Sequence, residues 1–97
     1  MPTYISLINF KDKGVEAVKE TCQRAAAFKA TAKKVGVTVK QSYWTVGAFD
    51  GAMIFEAPDD ETATAALLSL GALGNVRTQT LRAFTAPEME AIIAKMV

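Results

Sequence analysis

The chain has no histidine among its 97 residues and only one cysteine, Cys22. Histidine is the commonest metal ligand and the usual proton carrier near neutral pH. Without it, Ser-His-Asp and Cys-His nucleophiles are excluded, as are His-ligated haem and ordinary zinc sites. A lone cysteine excludes an internal disulfide and suits a reducing cytoplasm. Charge of one sign is also missing: eleven Lys and Arg against ten Asp and Glu leave a net +1. The interspersed signs give no basic face for nucleic acid or an anionic membrane. No apolar run approaches the roughly 20 residues that span a bilayer. Met1-Pro2 leads straight into a strand-like segment, not a signal peptide. The expectation is a cytoplasmic protein with no cofactor, metal, nucleic acid or membrane partner.

What is present is apolar content, 51% of the chain. Residues 1–97 fit a single domain, and a domain of this size buries only about two-thirds of its unfolded surface. The excess points to a subunit interface, so self-association as a homodimer or higher is expected.

Thr3 to Phe10, TYISLINF, has the aromatic and β-branched content of a strand. Lys11 to Gly14 is a turn. Apolar residues then recur every three or four positions from Val15 through Val18, Cys22, Ala25, Phe28 and Ala32 to Val35, the period of an amphipathic helix. On that stripe Cys22 reads as a small buried hydrophobe. Gly36 follows, where a left-handed C-cap is wanted. Val37 to Val46 is a second strand, Gly47 to Gly51 a hairpin, and Ala52 to Glu56 a short apolar strand suited to the sheet centre. Asp50 before Gly51 reads as a turn former through tolerance of positive φ. Asp59 or Asp60 caps a helix that runs to about Leu70, where Gly71 and Gly74 release the chain. Asn75 to Phe84 is the fourth strand. Thr85-Ala86-Pro87-Glu88 is a capping box that opens a terminal helix with Met89, Ile92, Ile93 and Met96 on one side.

The order βαββαβ plus a helix is the ferredoxin-like arrangement: α+β, a four-stranded antiparallel sheet, two main helices on one face. Alternation is read with Ile5, Leu7, Val37, Val39 and Ile54 towards the helices. Tyr4, Ile8, Phe10, Trp44, Val46, Met53 and Phe55 then point to the open face. So many large side chains need a cover, and a second copy is the simplest.

Gly47 and Asp50, Glu56-Ala57-Pro58-Asp59-Asp60, Leu70-Gly71 and Arg77-Thr78-Gln79-Thr80-Leu81-Arg82-Ala83-Phe84 together resemble the GYD-domain family of small bacterial and archaeal proteins. Tyr4 to Leu7 and Gly14 to Arg24 are similar to it as well, so the likeness spans nearly the whole chain. Phe49 stands where the signature tyrosine would be, which keeps a ring for packing and removes the hydroxyl. The resemblance implies a ferredoxin-like fold with dimeric α+β barrel-type association, and no established activity. Function must come from a site.

Asp50 is a candidate general base at a pocket mouth, against its turn role. Glu56, Asp59, Asp60 and Glu61 offer oxygen ligands to a hard cation, against capping duties. Arg77 and Arg82, five apart on a strand, face opposite ways. One of them leans inward and calls for a carboxylate such as Glu56, or an anionic ligand. Tyr4, Ser6, Trp44 and Thr80 either line a ligand pocket on the open sheet face beside Arg82 or form a dimer interface. Gly71 to Gly74 follows a helix and is no phosphate loop. Two functions are compatible with these residues, and a third is disfavoured. The first is an oligomeric domain binding a small anionic or aromatic ligand at the open sheet face. The alternative is a cofactor-free oxygenase or isomerase of the dimeric α+β barrel type, working between sheet and helices. An RNA-binding sheet lacks its Lys/Arg-Gly-aromatic signature in Gly51 to Glu56.

Overall fold

In the computed structural model, which describes residues 1–97, the four apolar, β-rich segments pair as one sheet. They are β1 (Thr3–Phe10), β2 (Thr38–Trp44), β3 (Gly51–Glu56) and β4 (Val76–Ala83), in spatial order β2-β3-β1-β4 with every pair antiparallel. The expected ferredoxin-like topology is therefore present, with β3 and β1 at the centre. Four helices join it: α1 (Asp12–Glu16), α2 (Thr21–Lys33), α3 (Asp60–Ala72) and α4 (Ala86–Ile93).

The single helix expected over 15–35 is broken. α1 ends at Ala17, whose φ of −106° and ψ of 32° are not helical, and a 3-10 turn at Val18–Glu20 precedes α2. A close approach imposes the break. Lys11 donates its N–H to the Asn75 carbonyl at 2.9 Å, and a Cβ on Gly14 would lie 2.1 Å from the same oxygen. The chain can dock there only as glycine, so α1 is fixed on the start of β4 and α2 must begin afresh. Arg24 closes the corner, donating to the Ala17 carbonyl at 2.6 Å and the Gly14 carbonyl at 3.4 Å. Val15, Val18 and Cys22, expected on a buried stripe, are exposed as a result.

The two sheet faces are assigned opposite to the sequence reading for β1 and β3. Tyr4, Ser6, Met53 and Phe55 are buried against Ala32, Ala63, Ala66 and Leu67 of the helices, while Ile5, Leu7 and Ile54 share the outer face. Both alternating sets on these strands are apolar, so periodicity could not choose between them. Val39 does face the helices, as expected, opposite Phe55. A bulge between Val39 and Gln41 then supplies the extra residue, Lys40, that returns Ser42 and Trp44 to the helix side opposite Met53 and Gly51. Without the bulge, strict alternation sends Trp44 outward. On β4, pairing Tyr4 with Arg82, Ser6 with Thr80 and Phe10 with Val76 puts Val76, Thr78, Thr80 and Arg82 on the helix side. Arg77 and Arg82 do face opposite ways.

Candidate functional site

α2 rests on edge strand β2, and α3 on edge strand β4. Between them, the helix sides over the central strands carry small residues such as Ala25, Ala32, Ala65 and Ala66. Side chains of that size cannot close the gap between two helices seated on opposite edges of a sheet. A cleft of about 850 Å³ lies between them. That is within the range of about 300–1,000 Å³ usual for small-molecule sites.

Ile8, Phe10, Gly51 and Met53 form its floor, Phe28 and Arg24 its α2 wall, and Leu70 and Ser69 its α3 wall. Two sequence-predicted site residues line it, Trp44 and Asp50. Trp44 is half exposed, and its indole is held by donation from Nε1 to Thr21 Oγ1 at 3.0 Å. Asp50 is not a positive-φ residue: all such residues are glycines, and in this hairpin it is Gly47, at φ 130°. The Asp50 carboxylate accepts the Phe10 N–H at Oδ2, 2.8 Å away, and its own N–H donates to the Ile8 carbonyl at 2.8 Å. The hairpin is thereby tied to the end of β1, and the side chain is fixed at the cleft.

The other four predicted residues gather elsewhere. Tyr4 lies under the start of α3, stacked on Phe55 at 5.2 Å between ring centroids, and its hydroxyl donates to Asp60 Oδ1 at 2.5 Å. Burial, then the hydrogen bond and the negative charge of Asp60, push its pKa up to about 12. It is a lock between sheet and helix, poorly suited to proton transfer at neutral pH. Ser6, fully buried, shares a hydroxyl–hydroxyl bond of 3.1 Å with Thr80. Arg82 lies over the rings of Tyr4 (5.6 Å) and Phe84 (4.5 Å) and donates to the Thr3 and Ala83 carbonyls. The group sits on the helix side, so the open-face pocket expected from Tyr4, Ser6, Trp44, Thr80 and Arg82 is not formed.

The expected arginine–Glu56 pair is not formed either. Glu56 meets Lys40 across the bulge at 3.8 Å, the only salt bridge in the chain. Asp59 is the N-cap of α3, accepting from the Thr62 N–H at 2.7 Å, and the Thr62 side chain and then that N–H hold its carboxyl below the usual range. The acidic run is thus divided among a cap, the Tyr4 lock and a surface pair. Sequence reasoning missed Arg24, Phe28, Ala65 and Leu70 as cleft residues. The available signal was the run of alanines in both helices, too small to fill the space above a sheet.

Comparison with known proteins bears on the same residues. The GYD domain profile matches residues 4–93. This chain belongs to the GYD family. A relative from Thermus thermophilus, named glutamine synthetase and cystathionine beta-lyase binding protein, is 32% identical over 92 residues. The match covers 94% of this chain and 97% of the relative. The crystal structure of TTHA0845, also from Thermus thermophilus, superposes with a TM-score of 0.58 at 24% identity. It covers 89% of this chain and 96% of that one, and shows the fold. In this GYD domain the motif glycine and aspartate have structural work: Gly47 turns the hairpin, and Asp50 ties it to β1. Phe49 keeps a half-buried ring between them.

Proposed function

We propose that this GYD domain is a non-catalytic, self-associating docking domain of the cytoplasm whose further partners are other proteins. The observation that carries the reading is the apolar surface a single copy leaves uncovered. Only 14 of 97 residues are buried. Ile5, Leu7, Ile54 and Leu81 share the outer sheet face by register, Leu81 at 52% exposure. α4 buries none of its residues and presents Met89, Ile92 and Ile93. Scattered apolar residues on a surface are ordinary, whereas a sheet face and a helix stripe together mark an interface. A second copy packed sheet to sheet, with α4 across its partner, covers both. The name of the Thermus relative supports a protein as a further partner, and glutamine synthetase and cystathionine beta-lyase are the first to try.

Light scattering after size exclusion is expected to give a dimer or larger, and Leu81→Glu, which charges the outer face and spares the core, a monomer. A monomeric wild type would sink the self-association reading. Failure of the immobilised protein to retain either purified enzyme would remove those two as partners. The alternative, a cofactor-free oxygenase or isomerase, would be housed in the cleft, and turnover of a bound hydrophobic compound would favour it.

A further inference from the structure

The cleft between α2 and α3 is independent of the outer sheet face and of α4, and its composition specifies an occupant. Four properties count. Its floor and walls are apolar and partly aromatic, with Ile8, Phe10, Phe28 and Leu70 each only partly covered by the protein itself. Its volume of about 850 Å³ suits a molecule of several fused rings rather than a single small ring. Trp44 offers a ring whose orientation is fixed by Thr21, and a fixed aromatic edge or face favours a flat partner. The fourth property is charge. Arg24, Asp50 and Glu61 are the side chains that line the cleft and carry charge at neutral pH. Arg24 is engaged by the Ala17 and Gly14 carbonyls, and Glu61 is exposed on the first turn of α3. Asp50 is half-buried, and its Oδ2 is held by the Phe10 N–H. Its other oxygen has neither a protein donor nor a cation, since the only salt bridge lies elsewhere.

We propose that this cleft is a binding site for a flat, polycyclic, uncharged molecule bearing a hydroxyl group, its rings against Trp44, Phe10 and Phe28 and its hydroxyl donating to Asp50. A carboxylate acceptor fixed by a backbone bond selects a donor and rejects an acceptor, because an unmatched polar atom there loses its water without replacement. An anionic ligand meets two carboxylates, Asp50 and Glu61, against the one guanidinium of Arg24, which is already held by carbonyls, and is disfavoured. A partner's amphipathic helix would also bring apolar surface, but it offers no hydroxyl matched to one fixed carboxylate and needs no flat ring.

The test uses the fluorescent probes 1-hydroxypyrene, pyrene and 1-pyrenecarboxylate, titrated against the intact protein. 1-Hydroxypyrene is expected to bind best, with pyrene weaker by roughly tenfold for the missing hydrogen bond to a charged acceptor, and the carboxylate weakest. Asp50→Asn, which keeps an acceptor for the Phe10 N–H but replaces the charged acceptor by a neutral donor, should shrink the preference for 1-hydroxypyrene over pyrene. Ala65→Trp, which fills the cleft from an exposed helix position, should remove binding of all three while circular dichroism and the melting midpoint are kept. Binding that survives Ala65→Trp would place the probes elsewhere and overturn the proposal. So would a carboxylate that binds as well as the hydroxyl probe, or no binding at all. None of these outcomes touches the docking reading, which is tested by Leu81→Glu on the other face.

Discussion

Two residues hold this fold in ways their side chains alone do not announce. Gly14 meets the Asn75 carbonyl so closely that Gly14→Ala must displace backbone. A cost of about 2–3 kcal/mol is expected, measured as a lowered urea midpoint, whereas Gly71→Ala, with nothing within 4 Å, should be neutral or stabilising. Tyr4 makes a pH-dependent contribution. Its pKa stands at 10.0 in the unfolded reference and about 12 here. The stabilisation is therefore complete below pH 10 and is lost as the pH rises towards 12. Tyr4→Phe should cost about 1 kcal/mol at pH 7 and flatten that alkaline loss. Parallel melting curves for the two proteins from pH 10 to 12 would show that the Tyr4–Asp60 bond does not carry it.

Among the elements, α3 and α4 begin with equally legible caps and differ in what they cover. Asp59 caps α3, which buries Ala63, Ala66 and Leu67. Thr85 and Glu88 form the predicted capping box of α4, which buries nothing. Asp59→Ala should lower the melting midpoint by a few degrees, because loss of this cap loosens a helix that carries core. Thr85→Ala should reduce helicity by circular dichroism with a smaller fall in midpoint, because unravelling α4 uncovers interface but no core of its own copy. Equal shifts in midpoint would mean that α4 carries as much of the stability as α3. The bulge at Lys40 works at this scale too: one extra residue decides that Trp44 reaches Thr21 and the cleft, not the outer face.

The whole molecule extends 51 × 31 × 18 Å, a long shape for 97 residues. Truncation after Phe84 is expected to leave the sheet and core folded but to weaken self-association, the melting midpoint falling only by what the lost assembly contributed. Light scattering at matched concentrations would show it, and an undiminished oligomer would exclude α4 from the interface. Trp44→Ala should leave assembly intact, since the indole lies on the helix side.

Order and type of the strands, both caps and the Gly36 stop at φ 87° were legible in the sequence because each depends on local chemistry: β-branching, side-chain oxygens before a helix, a glycine after one; the GYD membership was legible only through resemblance to the family's motifs. Which face of β1 and β3 turns inward was not legible, because Tyr4, Ile8 and Phe10 alternate with Ile5 and Leu7 and both sets are apolar. Only the tertiary structure decided it, through the seating of α3 on Tyr4 and Phe55 and the extra residue in β2. The same applies to the candidate site. Trp44 and Asp50 were visible as residues, yet the cleft that joins them depends on two alanine-lined helices held apart by the edge strands beneath them. That distance is a property of packing, and no local pattern encodes it.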